Sequence, residues 1–298
     1  RYPGCTNETA TNYNPAANWD NGSCIVEGCT DPVAFNYDPL ATLDNGTCVT
    51  GGCTNPDATN YDPTADVEGF DAGAKAAIIA SIAFGARIVA GDVYHEGISR
   101  VTAADIAVAK RLGYVIKLLG IAERDRETGE IAVRVHPAMV PNTHPLASVR
   151  ESYNAVFIEG DAVGSLMFYG RGAGGNPTAS AVLGDVIDAA VNLVKGTHGS
   201  IGSFAKAIIR PIDETSSEYL LSMEVADKPG VLHAVTGAFA NNGVSIRAAE
   251  QDGIGEDARL VFLTHDANEA AVQSCLSEFK SQDFVKHVGA LLRVVANS

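Results

Sequence analysis

Asp71 and Lys75 stand four residues apart at the head of an apolar run, Gly73 to Phe84, made almost entirely of alanine and isoleucine. Such a run reads as a helix buried on most sides, and residues four apart on a helix share one face and can reach a common ligand. The plain outcome for this pair is an i,i+4 ion pair. A lysine at the mouth of a buried helix has another use, since burial lowers its pKa and lets it act as a base while the carboxylate orients a substrate. A second stretch with chemistry in it follows later. Gly170, Gly172, Gly174 and Gly175 precede a helical pattern from about Thr178 to Val194. Glycines leading into a helix N-terminus let backbone N–H groups approach an anion or a cofactor. The spacing is not that of a dinucleotide fingerprint, so a tight structural turn stays open as the alternative.

Placing these residues requires strands around them. Ala132–Val135, Tyr153–Ile158 and Gly164–Tyr169 are β-rich runs bounded by Gly, Pro and Asn. His136 and His144 each precede proline and have no carboxylate at ligand spacing, so no metal site is expected there. His95 reads as a surface or core-edge residue. Towards the C-terminus a strand at Tyr219–Val225 runs into Asp227-Lys228-Pro229-Gly230-Val231-Leu232 and a helix to Asn241. A strand from Gly243, another at Ala258–Thr264, a helix at Asn268–Lys280 and a last strand near Leu291–Val295 complete a βαββαβ order.

The N-terminal part is built differently. Cys5, Cys29 and Cys53 are spaced by 24, and Cys5 to Cys24 and Cys29 to Cys48 by 19. Around them recurs Gly-Cys-Thr-x-x-x-Ala-x-Asn-Tyr-x-Pro-x-Ala, and the third copy never closes because Ala72 stands where its second cysteine belongs. A short fixed period with few large apolar residues means small stapled modules. Asp20, Asn21, Asp44 and Asn45 could offer oxygens to calcium, but no bidentate glutamate follows, which leaves turn chemistry as the simpler reading. Cysteines in the head suit an oxidising compartment, whereas the nearly thiol-free body, with only Cys275, suits the cytosol. A net charge of -15 argues against nucleic acid or an anionic membrane as partner. No uninterrupted apolar run of roughly 18 residues is seen, so no bilayer span is expected. The start at Arg1, without Met or a signal-like segment, reads as an internal fragment or a processed terminus.

Asp62-Pro63-x-x-Asp66-Val67-x-Gly69-x-Asp71-x-x-x-Lys75 resembles the signature of homoserine dehydrogenases. Phe84-Gly85-Ala86-Arg87, Val93-Tyr94-His95-Glu96-Gly97-Ile98, His136–Pro141 with His144-Pro145-Leu146, and Tyr169–Ala179 look like later segments of that family, in order. The βαββαβ tail, with its Asp-x-Pro-Gly-x-Leu turn, resembles the ACT domain, and residues 4–65 resemble repeats of marine bacterial surface proteins. These resemblances imply an α+β fold: a mixed sheet covered by helices, then an ACT domain, with short disulfide-type repeats in front. The divisions expected are 1–61, 62–200 and 215–298.

The resemblance further implies NAD- or NADP-dependent interconversion of homoserine and aspartate semialdehyde in threonine, methionine and isoleucine biosynthesis. Lys75 would handle the proton, Asp66 and Asp71 would bind or orient substrate, and Gly172, Ala173, Gly174 and Thr178 would close over the cofactor. Gly230, Val231, Leu232, Asn241 and Asn242 would hold an amino-acid effector such as threonine, in a cytoplasmic homo-oligomer. Two departures stand out. The glutamate that touches substrate in this family is replaced by Asn60, and residues 1–61 hold neither a G-x-G-x-x-G turn nor the family's first-domain lysine. The expectation that follows is a chain inactive by itself. The alternative is a repeat-bearing surface protein, or a chimeric reading frame, with a non-catalytic amino-acid-binding body.

Overall fold

The computed structural model describes residues 2–7, 10–28, 41–44, 67–150, 153–172, 174–197, 204–253 and 258–295. Its helices are α1 (Phe70–Phe84), α2 (Ala103–Arg111), α3 (Gly175–Lys195), α4 (Val231–Asn241) and α5 (Glu269–Lys280). Its principal strands are β1 (Tyr94–His95), β2 (Tyr114–Arg124), β3 (Ile131–Pro141), β4 (Tyr153–Gly160) and β5 (Gly164–Arg171). The later strands are β6 (Ser216–Val225), β7 (Ile246–Asp252), β8 (Ala258–Thr264), β9 (Val285–Val288) and β10 (Leu292–Val294). The fold is a mixed α+β one, and packing divides the chain in two. One unit is Arg1–Ser99, Gly120–His136 and Ala205–Arg210; the other is Arg100–Leu119, Pro137–Phe204 and Pro211–Ser298.

In the first unit, β1 lies parallel to the start of β3, with Tyr94 opposite Arg134 and His95 opposite Val135. Helix α1 opens after Gly69 and closes at Gly85, both in the left-handed region at φ 81° and 62°, a conformation that glycine adopts without steric penalty. It turns small residues inward: Gly73, Ala76, Ala77 and Ala80 are its buried positions. Strand β2 approaches so closely at Gly120 that a β-carbon there would lie 3.1 Å from the Ala76 Cβ. Only small side chains fit such a seam, and the bulky Ile78, Ile79 and Ile82 are left exposed. The expectation of a helix buried on most sides is thereby corrected.

Within the first repeat Cys5 and Cys24 form a disulfide, and Cys5, Ala10 and Val26 make a small apolar cluster. Asp20 and Asn21 turn their Oδ1 atoms onto the N–H groups of Gly22 and Ser23 at 2.8 and 3.1 Å. That is turn chemistry, a side chain satisfying backbone two residues on. Cys29, Asn45, Cys48 and Cys53 lie outside the described residues.

The second unit contains the βαββαβ module. Strand β6 runs antiparallel to β8, β9 and β10, β7 runs antiparallel to β8, and β10 runs parallel to the end of β3. Alternation along the strands separates two faces. Tyr219, Leu221, Met223 and Val225 pack with Val235 and Phe239 of α4 and with Val272, Leu276 and Phe279 of α5. Leu220, Val261, Leu263 and Leu292 instead meet Val108 and Ala109 of α2. Helix α2 is opened by a reciprocal cap: Thr102 Oγ1 accepts from the Asp105 N–H at 3.2 Å, and Asp105 Oδ2 accepts from the Thr102 N–H at 3.0 Å.

Helix α3 has no buried side chain, and Val182, Leu183, Val186, Ile187, Val191, Leu193 and Val194 are exposed. At 21 residues it is long and apolar enough, by length and composition alone, to cross a membrane. Asp185 and Asp188 interrupt its apolar run, and each of those carboxylates is costly within hydrocarbon.

Candidate active site

The first turn of α1 carries the acid–lysine pair. Lys75 Nζ lies 2.5 Å from Asp71 Oδ2, with 59% and 38% of the two side chains exposed. Asp71 also sits where the helix N-terminus favours negative charge. The pair is real, but it faces outward, opposite the seam of Gly73, Ala76 and Ala80. Burial is therefore not what prepares this lysine. A carboxylate and an ammonium held together in the open can clasp a ligand's polar group from both sides, the ammonium donating and the carboxylate accepting. Asp66 lies outside the described residues.

The glycine turn belongs to the second unit. Strands β4 and β5 form an antiparallel hairpin that pairs Arg171 with Tyr153. The hairpin end is stiffened by aromatic stacking: the Tyr153 and Tyr169 rings lie 4.9 Å apart at 6°, and the Arg171 guanidinium sits 5.2 Å from the Tyr153 ring centre. At Gly172 any β-carbon would overlap the Asn154 carboxamide, and Gly174 starts α3 at φ 120°. No side chain caps α3, and the Thr178 N–H already donates to the Gly174 carbonyl at 3.1 Å. Nothing crowds Gly170 or Gly175, so an anionic or amide group can approach the first turn of the helix. Gly172 follows the hairpin, Gly174 precedes α3 and Thr178 lies in its first turn, and Ala173 is outside the described residues.

A cleft of about 430 Å³ opens at the first turn of the βαββαβ module, lined by residues that include Asp227, Gly230, Val231, Leu232 and Gln251. Gly230 holds φ at 93° and starts α4. Gln251 Nε2 donates to Asp227 Oδ1 at 3.1 Å beside it. Of the expected effector residues, Gly230, Val231 and Leu232 line the cleft, whereas Asn241 and Asn242 do not. The Asn242 side chain is instead engaged at the end of α4 with the Ala238 carbonyl and Glu278. Gln251 escaped the sequence reading because it reaches the cleft from β7, about twenty residues away.

Among the described residues, no three His, Cys, Asp or Glu side chains are grouped to hold a metal ion. His144 is a structural residue in part, its Nδ1 accepting from the Leu146 N–H at 3.1 Å and its ring meeting Phe157 edge-on. His95 is half-buried, and desolvation lowers its pKa although a hydrogen bond with Val93 backbone acts the other way.

An open acid–lysine pair, a glycine turn feeding a long helix, and a βαββαβ module with a cleft at its first turn are the candidate-site features of this mixed α+β chain. The chain carries the homoserine dehydrogenase catalytic domain and, behind it, a C-terminal ACT domain. Residues 53–187 match the family model for homoserine dehydrogenase, and residues 219–283 match that for the ACT domain. The first match begins inside the third repeat, upstream of the expected start at Asp62. The homoserine dehydrogenase of Mycobacterium tuberculosis is 48% identical over 239 residues, covering 77% of this chain and 54% of that protein. That of Corynebacterium glutamicum is 48% identical over 233 residues, covering 77% and 52%. The crystal structure of a homoserine dehydrogenase from Thiobacillus denitrificans superposes with a TM-score of 0.72 at 36% identity, covering 78% of this chain and 55% of that one. The chain thus spans about half the length of the relatives it matches.

Proposed function

We propose that the body of this chain serves the reversible, NAD- or NADP-dependent interconversion of homoserine and aspartate semialdehyde. NAD or NADP, when bound, would supply or take up the hydride at the carbon that bears the oxygen. Lys75 manages the proton at that oxygen: as an ammonium paired with Asp71 it donates to the aldehyde oxygen in the reductive direction and takes the proton back in the other. Asp71 holds the lysine in place and, with Asp66, accepts from the substrate's amino group. Gly172, Ala173, Gly174 and Thr178 would hold the nicotinamide cofactor, glycine at this turn leaving the backbone open to it. An amino acid of the threonine kind occupies the cleft at Gly230–Leu232, and the working form is a cytoplasmic homo-oligomer.

The observation that carries this reading is the Asp71–Lys75 pair, 2.5 Å apart within the segment matched to the family. Its test is homoserine-dependent reduction of NAD(P) by the purified protein, followed by absorbance. Turnover that requires homoserine supports the reading and overturns the expectation of a chain inactive by itself; its absence at any cofactor concentration contradicts the reading for this chain. A second reading, a repeat-bearing surface protein with a non-catalytic body, draws on one observation, the Cys5–Cys24 disulfide, since such bonds persist in oxidising compartments.

A further inference from the structure

We infer that His95 is a positioning residue for the Asp71–Lys75 pair, acting by pressing its ring into a notch left by Gly73 on the opposite side of the α1 first turn. The inference rests on the proposed role of that pair.

Four contacts, all within the first unit, converge on this turn and its entry. At Gly73 a β-carbon would overlap the His95 imidazole; any other residue there would push the ring or the helix away. The same ring lies 5.4 Å from that of Phe70, the first residue of α1. Two residues on, Gly97 meets the segment that leads into the helix: a β-carbon there would fall 2.5 Å from both the Val67 carbonyl and Glu68 Oε2. The Ile98 N–H donates to the Val67 carbonyl at 2.8 Å. Residues 95–98 therefore grip both the entry to α1 and its back.

The grip itself is anchored. His95 pairs with Val135 in the parallel ladder, and the Glu96 N–H donates to the Val135 carbonyl at 2.8 Å. Val135 is wholly buried in β3. A fixed strand thus sets His95, and His95 sets the depth and rotation of the turn whose far side carries Asp71 and Lys75. Helix termini fray easily, and α1 starts on a glycine with no side-chain cap. Without the ring the first turn is free to rotate, and the pair with it. The desolvated ring stays neutral near neutrality, which suits a packing element better than a charged one.

The test is a set of variants of the full 298-residue chain. Lysines are reductively methylated with carbon-13, and the Lys75 signal is assigned from its absence in Lys75→Arg. Asp71→Asn marks where that signal falls when the pair is lost. His95→Ala and the milder His95→Gln are expected to move it towards that position while the fold, read by circular dichroism, is kept. Gly73→Ala is expected to do the same in the wild-type background and nothing more in His95→Ala, because the overlap needs the ring. In turnover, His95→Ala should lower kcat about ten- to hundred-fold, with KM changing far less, as expected for a misplaced catalytic group. A Lys75 signal unmoved by either His95 variant overturns the inference. If the signal moves as expected but the wild-type protein has no homoserine-dependent turnover, the positioning stands and the reading of the reaction fails.

Discussion

Replacing Arg293 by methionine isolates the energetics of the buried ion pair in the βαββαβ module. Arg293 is 3% exposed and Glu269 1%, and the guanidinium holds the carboxylate through Nη2 at 2.6 Å and Nε at 2.8 Å. Methionine keeps most of the volume, so the loss is of charge compensation rather than packing. Stranding a buried charge costs about 3–5 kcal/mol. Glu269 keeps donors from the Tyr219 hydroxyl at 2.9 Å and the Gln273 amide at 2.8 Å, and it stays in the first turn of α5 where the helix favours it. The expected loss is therefore at the lower end, about 3 kcal/mol, read from urea unfolding. That corresponds to a melting temperature lower by roughly 10 °C. Glu269→Gln combined with Arg293→Met leaves no unpaired charge and should recover part of the loss. A cost below about 1 kcal/mol for Arg293→Met, as for a surface pair, would refute the reasoning. So would a double variant no better than the sum of its parts.

Three further outcomes follow from the same structure. Burial alone would raise the Glu269 pKa, but the hydrogen bonds and charge of Arg293, with Gln273 and Tyr219, hold it below the ordinary 4.5. Its contribution to stability is thus complete above that ordinary value and fades as pH falls through the lowered one, so acid melts of Glu269→Gln should be flatter there than wild type. Gly230→Ala, at φ 93°, should cost about 1–2 kcal/mol and abolish any rise in melting temperature that millimolar threonine gives the wild type. Cys275 is wholly buried, and burial, reinforced by Glu278, pushes its thiol up to about 11; after the Cys5–Cys24 bond is accounted for, it should ignore a thiol reagent at neutral pH until the protein unfolds.

The ACT domain was legible almost element by element. Its strands alternate, Asn268 caps α5 by accepting from the Ala270 N–H, and Asp227–Leu232 spells out the turn. Helix α1 was legible as a helix but not in its orientation, because periodicity does not say that a strand at Gly120 admits only alanines. Helix α2 and strand β2 went unread, although Thr102 and Asp105 form a capping box in plain sequence. The roles of Gln251, Arg293 and His95 depend on partners that lie far away along the chain. His95 in particular looked like an edge residue until the void at Gly73 gave its ring a place.

Lys75 carries the proposed proton transfer, and the most direct measurement is the aspartate-semialdehyde-dependent oxidation of NAD(P)H by the purified chain and by its Lys75→Met variant. Oxidation by the wild type is expected, with a loss of about a hundred-fold or more in kcat for Lys75→Met, as when a general acid is removed. Equal rates in the two proteins would contradict that role.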